Sequence, residues 1–420
     1  MKPKLLTTLQ CYSTRLFVAD VIAGVTVAMV ALPLSIAIAI ASGAQPAAGL
    51  VTAVVGGFLV SALGGSRVQI GGPTGAFIVV VYGVIQQFGF DGLLLATLMA
   101  GIILVMGGLL KAGRLIALIP ESVIEGFTIG IAVIIAVSQL KDLLGETVAE
   151  MPAELIHILP ALWIARESVN LSALAIGVSA ILLIVALNRV AARLPGSIIA
   201  IAIASAAVAF LTLPVETLHS RFGSLPNGLP MMSLPPISLD RIIPLLPSAF
   251  VIAFLAGVES LLSALVADRM IGGAHRSNAE LLAQGAANIA SPMFGGLPAT
   301  GAIARTATNV RAGGRTPVAG IVHAGSILLV MVAAAPLAGY LAMPALAGLL
   351  IVTAWVMSEP HRWPERLRAR PGDRFLLFLT FGLTVFSSLT VAIAVGTAIG
   401  LAQRLIRQDT PPADWSPPER

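Results

Sequence analysis

The strongest constraint on this chain is a pair of short glycine-broken segments, one in each half, embedded in apolar sequence of membrane length. The first reads Gly71-Gly72-Pro73-Thr74-Gly75-Ala76-Phe77. The second reads Gly295-Gly296-Leu297-Pro298-Ala299-Thr300-Gly301-Ala302-Ile303-Ala304-Arg305-Thr306. Each predicts a brief extended stretch and then a truncated helix, beginning near Pro73 and near Gly301, since proline suits a first helical position where no N–H is needed. The first turn of a helix carries unpaired N–H groups and a partial positive charge. Two such ends facing each other make an anion site without a full cation. Non-helical backbone at membrane depth is tolerated only when buried in protein or lining a wet cavity. A lone segment of this kind reads as a packing turn. Two at corresponding positions of two halves point to an internal duplication and a binding site at the bilayer midplane.

The surrounding composition places both segments in a membrane. Hydrophobic residues make up 57 % of the chain and charged residues 11 %, against about 25 % charge in a soluble domain. A sequence pI near 9.9 invites a nucleic-acid partner, but the basic residues sit between apolar runs. They are Lys2, Lys4 and Arg15; Arg67; Lys111 and Arg114; Arg189 and Arg193; Arg269 and Arg276; Arg311 and Arg315; Arg362 to Arg374; and Arg404 and Arg407. That is the positive-inside pattern of a polytopic protein, and no nucleic-acid partner is expected. Loops of the other parity hold mixed or acidic residues, among them Asp91, Asp142, Glu146, Glu150, Glu154, Glu167, Glu216 and Asp240. Both termini are therefore expected in the cytoplasm, with the chain in the inner (plasma) membrane. The single Cys11 excludes internal disulfides, and the five histidines show no metal spacing.

The apolar periodicity predicts an all-α chain of about 14 spans, roughly at 18–42, 46–63, 72–88 (short), 91–111, 118–139, 170–189, 196–213, 245–268, 278–294, 301–312 (short), 316–339, 342–358, 374–387 and 388–405. The last two are expected to part near Ser387-Ser388. Residues 143–169, with Pro152, Pro160 and Trp163, read as an interfacial helix and loop. The proline-rich stretch 214–244 reads as a connector between one repeat at about 15–213 and another at about 245–407. Residues 408–420 form a short polar tail.

Glu259 lies in an otherwise apolar span, and carboxylates inside a membrane are costly and usually functional. It is a candidate proton carrier, the alternative being a structural partner for Arg305 or for backbone N–H groups. Ala256, Glu259, Ser260 and Ser263 share one helix face and predict a cavity wall. Arg305, about one turn into the second short helix, could reinforce an anion site, pair with Glu259 or snorkel to the cytoplasmic face. Glu121 and Glu125 stand at i, i+4 where a span begins and suit a structural or gating-surface role. No Gly-x-Ser-x-Gly, His-Glu-x-x-His or Walker pattern exists, and no nucleophile–base pair can be placed, so an enzyme is not expected.

Across residues 15 to 405 the chain resembles the sulfate permease (SulP) family of anion transporters, whose animal relatives include prestin. The stretches that carry the resemblance are Leu32 to Ala37, Gly72 to Phe77, Pro120 to Gly130, Glu259 to Asp268, Asn278 to Asn288 and Ala302 to Arg311. The resemblance implies two inverted repeats of seven segments, divided into core and gate domains, and a homodimer. It places a small anion between the third and tenth helices, at Thr74 and Gly75 and at Gly301, Ala302, Ile303 and Ala304. Pro33, Ser35 and Glu259 face the same cavity, and Arg305 matches the family's tenth-helix arginine. Members commonly carry a STAS domain after the last span, and none is expected here. Glu259 and Ile303 stand where sodium-coupled bicarbonate members have Asp and Thr, which argues against sodium coupling. Val51 stands where many members have tyrosine, which argues against sulfate. A bacterial C4-dicarboxylate branch, with Glu on the eighth helix and an Ala-Ile-Ala-Arg run on the tenth, looks closer. The expectation is proton-coupled symport of a fumarate- or succinate-like dicarboxylate by an elevator movement. Sulfate, bicarbonate and a passive anion channel or exchanger are the alternatives. No cofactor or metal is expected.

Overall fold

A computed structural model of the chain describes residues 2–113, 120–148, 152, 155–191, 194–387 and 389–407. The polar tail 408–420 lies outside the described residues, as do Arg114, Glu150, Glu154, Arg193 and Ser388. So do the side chains of Arg404 and Arg407.

The fold is helical, with one two-residue strand from each glycine-broken segment. Helix α1 spans Thr14–Ala41, starting where the Ser13 side chain accepts the Leu16 N–H, and it contains Pro33. Helix α2, Pro46–Leu63, includes a π-helical turn at Thr52–Gly56. Strand β1 is Gly71–Gly72. A 3₁₀ turn, Gly75–Phe77, then opens a helical run to Leu109. That run breaks at Gly89, whose φ of 74° and ψ of 176° no helix contains, so α3 (78–88) and α4 (90–109) meet end to end. Next come α5 (Glu121–Ser138), α6 (Leu155–Ala165), α7 (Leu171–Val190) and α8 (Gly196–Phe210). The second half holds α9 (Leu239–Ile271), α10 (Ser277–Met293), β2 (Thr300–Gly301) and α11 (Ile303–Arg311). It ends with α12 (Val318–Ala333), α13 (Met343–Met357), α14 (Pro371–Phe386) and α15 (Leu389–Arg407). Among the described residues, seven helical segments are long and apolar enough to cross a membrane. Large apolar side chains on the outer faces, such as Leu182, Phe210, Phe250 and Leu329, stand exposed, which suits hydrocarbon rather than water.

Two expectations are corrected. The helix expected at 245–268 starts earlier, since α9 begins at Leu239 and carries Pro244 and Pro247 inside it. The truncated helices start two residues later than Pro73 and Gly301. Thr74 and Ala302 have extended backbone and are the capping residues of the turn at Gly75 and of α11. Residues 143–169 do include a helix, α6, and there Arg166 stacks 4.8 Å above the exposed Trp163 ring.

The helices sort into two packed groups. In one, α10 and α9 pack on the α3–α4 run, α12 packs on α1 and α2, and α11 packs on α9 and α1. In the other, α14 packs on α5, and α13 packs on α7 and α5. The 3₁₀ turn after β1 reaches across to α5 and α13. The non-helical backbone therefore sits at the seam between the groups.

Candidate functional site

The two strands pair antiparallel, with Gly71 opposite Gly301 and Gly72 opposite Thr300. Ala302 N–H donates to the Ile70 carbonyl at 3.0 Å. Glycine permits this approach: a Cβ on Gly301 would strike the Gln69 amide, and one on Gly72, at φ +149°, would strike the Arg305 guanidinium.

Strands this short leave backbone groups unpaired inside an apolar bundle, where each one is costly. Side chains from other elements satisfy them. Asn288 on α10 grips Ala299 from both sides, donating to its carbonyl at 2.7 Å and accepting its N–H at 2.9 Å. Thr52, at the π-turn, accepts the Leu297 N–H at 2.6 Å. On the stretch leading into β1, Asn309 donates to the Val68 carbonyl at 2.8 Å and Thr306 accepts the Ile70 N–H at 3.2 Å. Gln69 donates to Ser260 Oγ at 2.8 Å.

The stripe expected as a cavity wall on α9 is instead mostly this seam. Ala256, Ser260 and Ser263 are fully buried. The Ala256 carbonyl accepts from Thr300 Oγ1, and Ser263 Oγ lies 3.2 Å from Thr306 Oγ1. Glu259 differs. It is partly buried, and its Oε2 accepts the Thr74 hydroxyl at 2.9 Å. Thr74 caps the turn at Gly75 without bonding to it, and no side chain caps Ala302 on α11 either. The first-turn N–H groups of both truncated helices are thus left without a side-chain acceptor. Helix α9 brings Glu259 to the same place.

Arg305 is 2 % exposed and does not snorkel. It donates to the Pro73 carbonyl at 3.0 Å, to Ser35 Oγ at 3.1 Å and to the Gly71 carbonyl at 3.4 Å. It therefore clamps α1 and β1 to α11, and it makes these bonds rather than an ion pair with Glu259. Ser35 reaches the site through Arg305, while Pro33 is buried two residues earlier in α1. Ile303 and Ala304 are exposed, whereas Thr74, Gly75, Gly301 and Ala302 are buried. Across the seam, a Cβ on Gly75 would lie 3.0 Å from Met357 Sδ and 3.6 Å from Ile135 Cδ1, so α13 and α5 supply the facing wall.

The sequence reading misses Glu280. It is fully buried on α10. Its Oε2 accepts Gly65 N–H at 2.9 Å and Ser66 N–H at 3.2 Å. Its Oε1 accepts Ser260 Oγ at 3.0 Å and Gln284 Nε2 at 2.9 Å. The signal is present in the sequence, since Glu280, Gln284 and Asn288 stand at i, i+4 and i+8, a polar stripe on one helix face. Glu121 and Glu125 join an ion network away from the site. Arg362 lies 3.1 Å from each, and Arg366 lies 3.1 Å from Glu125 and 2.7 Å from Glu359.

A family profile described as the sulfate permease family matches residues 17–380. The Bacillus subtilis protein YvdB, provisionally named as a sulfate transporter, is 41 % identical over 96 % of this chain and 78 % of its own length. The bicarbonate transporter BicA of Picosynechococcus is 31 % identical over 90 % of this chain and 69 % of its own. The solved transmembrane domain of a cyanobacterial BicA superposes with a TM-score of 0.81 at 29 % identity, covering 93 % of this chain and 98 % of that one. Murine Solute Carrier 26 family member A9 shares the fold, with a TM-score of 0.87 at 18 % identity over 97 % of this chain and 71 % of that one.

These names favour the sulfate and bicarbonate alternatives over the dicarboxylate expectation, for the relatives are named for sulfate and bicarbonate. Val51, the position that argued against sulfate, is 1 % exposed within the hydrophobic core. The relatives are transporters, not enzymes. This bears on a hydrogen-bonded array that the sequence reading did not find, in which His275 Nδ1 lies 2.6 Å from Asp268 Oδ2 and its Nε2 lies 3.0 Å from Ser277 Oγ. Ser277 is 2 % exposed at the start of α10, so the array locks the α9–α10 turn and offers no nucleophile. With the profile over most of its length and relatives above 30 % identity over nine-tenths of it, this chain belongs to the sulfate permease family of multi-pass membrane anion transporters.

Proposed function

We propose that the chain carries a small inorganic oxyanion, of the sulfate or bicarbonate class, bound between the turn at Thr74–Gly75 and the start of α11 at Ala302–Ala304. The observation that carries this reading is the pair of uncapped helix starts held together by β1 and β2, with Glu259 on Thr74. Backbone N–H groups in such turns bind anions through unpaired donors and the helix dipole. Arg305 adds positive potential from behind while its own hydrogen bonds hold the backbone. Glu259 is the coupling group: an anion and a carboxylate share this site best when one proton enters with them.

In this reading the helices form 14 segments in two inverted repeats of seven. The group built on α1, α2, α3–α4 and α9–α12 is the core, and the group built on α5, α7, α8 and α13–α15 is the gate. The core moves against the gate in an elevator cycle within a homodimer, and both termini are cytoplasmic in the plasma membrane. The sorting of helices into two packed groups supports that division.

Proteoliposome uptake tests the function. Labelled sulfate, bicarbonate and fumarate are offered with an inward proton gradient, an inward sodium gradient or neither. Proton-stimulated uptake of sulfate or bicarbonate is expected. Uptake of fumarate alone, or sodium stimulation alone, would overturn the substrate or the coupling. Orientation is tested at Glu365, which is exposed beside the buried Arg366. A Glu365→Cys variant lacking Cys11 should label only from the cytoplasmic side.

A further inference from the structure

His323 on α12 is fully buried, and neither of its ring nitrogens has a hydrogen-bond partner among the described residues. An imidazole carries one donor and one acceptor when neutral, and burial without partners is costly. Its surroundings are specific. One turn earlier, Gly320 packs against Ser61 of α2 and Ile70, the residue before β1. Gly57 of α2 is the spacer: a Cβ there would lie 3.0 Å from the Gly71 carbonyl and 3.9 Å from His323 Cδ2. The Gly71 carbonyl also accepts from Arg305, whose Nε is likewise buried without a partner. Gly57 directly follows the π-helical turn Thr52–Gly56, a local irregularity often found at functional sites. The three unpartnered atoms thus belong to two residues, His323 and Arg305, that both lie close to the Gly57–Gly71 contact.

Buried polar atoms of this kind are normally satisfied by ordered water that makes two to four hydrogen bonds. We propose that His323 is a positioning residue that holds β1, and through it the Arg305 clamp, by way of ordered water bound between the imidazole and the Gly71–Arg305 contact. His323 does not touch the anion. It sets where the Gly71–Thr74 backbone lies, and so it sets affinity rather than turnover. The inference rests on the site proposed above, but its first readout does not involve an anion.

The charged groups on the elements packed around α12 are few. Of the helices packed on α12, α1 carries Arg15 and Asp20 and α2 carries none. Asp20 already accepts the Arg315 and Thr316 N–H groups at the start of α12. It is thus committed to another contact, and water is left as the partner of the ring.

Two measurements test the proposal. First, a high-resolution structure of the wild-type protein should show ordered water on at least one His323 ring nitrogen, and a dry ring would overturn it. Second, uptake kinetics compare wild type, His323→Phe and His323→Asn, using whichever of sulfate, bicarbonate or fumarate the wild type accumulates. His323→Phe keeps the ring volume and removes both nitrogens. It should raise KM about fivefold to tenfold, the loss of one hydrogen bond's contribution, with kcat and folded yield near wild type. His323→Asn keeps a polar atom near the place of Nδ1 and should recover most of the affinity. Wild-type KM in His323→Phe would overturn the proposal. So would a loss of folded yield with KM unchanged, which marks a purely structural histidine. Should the wild type accumulate none of the three anions, the functional reading fails while the water readout still decides this one.

Discussion

Two carboxylates inside the membrane-embedded bundle, Glu259 and Glu280, sit on neighbouring helices and serve opposite ends. Glu280 is fully buried and each of its oxygens accepts two hydrogen bonds, two of the four from backbone N–H groups. Glu259 is partly buried and accepts one, from Thr74. The first has no capacity left for a ligand and fastens the loop leading into β1. The second has free lone pairs beside two uncapped helix starts. A charge inside a membrane is read by how fully its hydrogen bonds are used, and the partly satisfied one is where chemistry can occur.

The same conservative substitution separates the two most sharply. In Glu280→Gln, either orientation of the amide turns an NH₂ toward two donors. The expected loss is roughly 1–3 kcal/mol for each stranded group, seen as a collapse of monodisperse yield and a drop in melting temperature in detergent. Near-normal yield would remove the structural role assigned to Glu280. Arg305→Ala follows in size, since it strands the Pro73 and Gly71 carbonyls. Hydrogen bonds from a charged donor contribute about 1.5–3 kcal/mol each, so both stability and anion affinity should fall. Arg305→Lys keeps the charge without the planar fork and should land between wild type and Ala in both measurements. Equal, full affinity in Arg305→Ala would confine Arg305 to scaffolding.

Glu259→Gln should fold normally, because its amide oxygen can still accept from Thr74. Its effect is expected on gradient-driven accumulation, with counterflow exchange largely kept. Unchanged accumulation and pH dependence would take Glu259 out of the coupling role and erase the contrast with Glu280. Thr74→Val removes one hydroxyl bond, worth roughly 0.5–1.5 kcal/mol, and should raise KM severalfold at normal yield. The smallest effect is expected at Glu121. Its side chain is 69 % exposed opposite Arg362, and exposed ion pairs contribute about 0–1 kcal/mol. Glu121→Gln should therefore leave uptake and melting within error. A clear loss would make the Arg362 network part of the transport cycle.

The helical elements were legible in the sequence to within a few residues, and the misses have local causes. The proline-rich pattern ends the connector at Pro244, yet α9 runs through it, because a long helix packed on α3–α4 and α11 tolerates the lost backbone bonds that would stop an isolated one. The α9 stripe was recognised, but its meaning was inverted. Periodicity identifies which residues share a face and is silent on what covers it, and here the covering elements are the two strands themselves. The substrate reading drew on single positions such as Val51, whose side chain is 1 % exposed, and one residue type does not specify an anion.

By itself, the sequence determined that this is a polytopic helical membrane protein broken by glycine at two corresponding places. Those features follow from composition and from contacts within a few residues along the chain. Only the tertiary structure decided that Arg305 clamps Pro73 and Ser35, that Glu280 is fully committed, and that Glu259 meets Thr74. Each of these depends on partners far apart in the chain, up to 270 residues for Arg305 and Ser35, and local pattern does not encode which buried donor finds which buried acceptor once the helices pack.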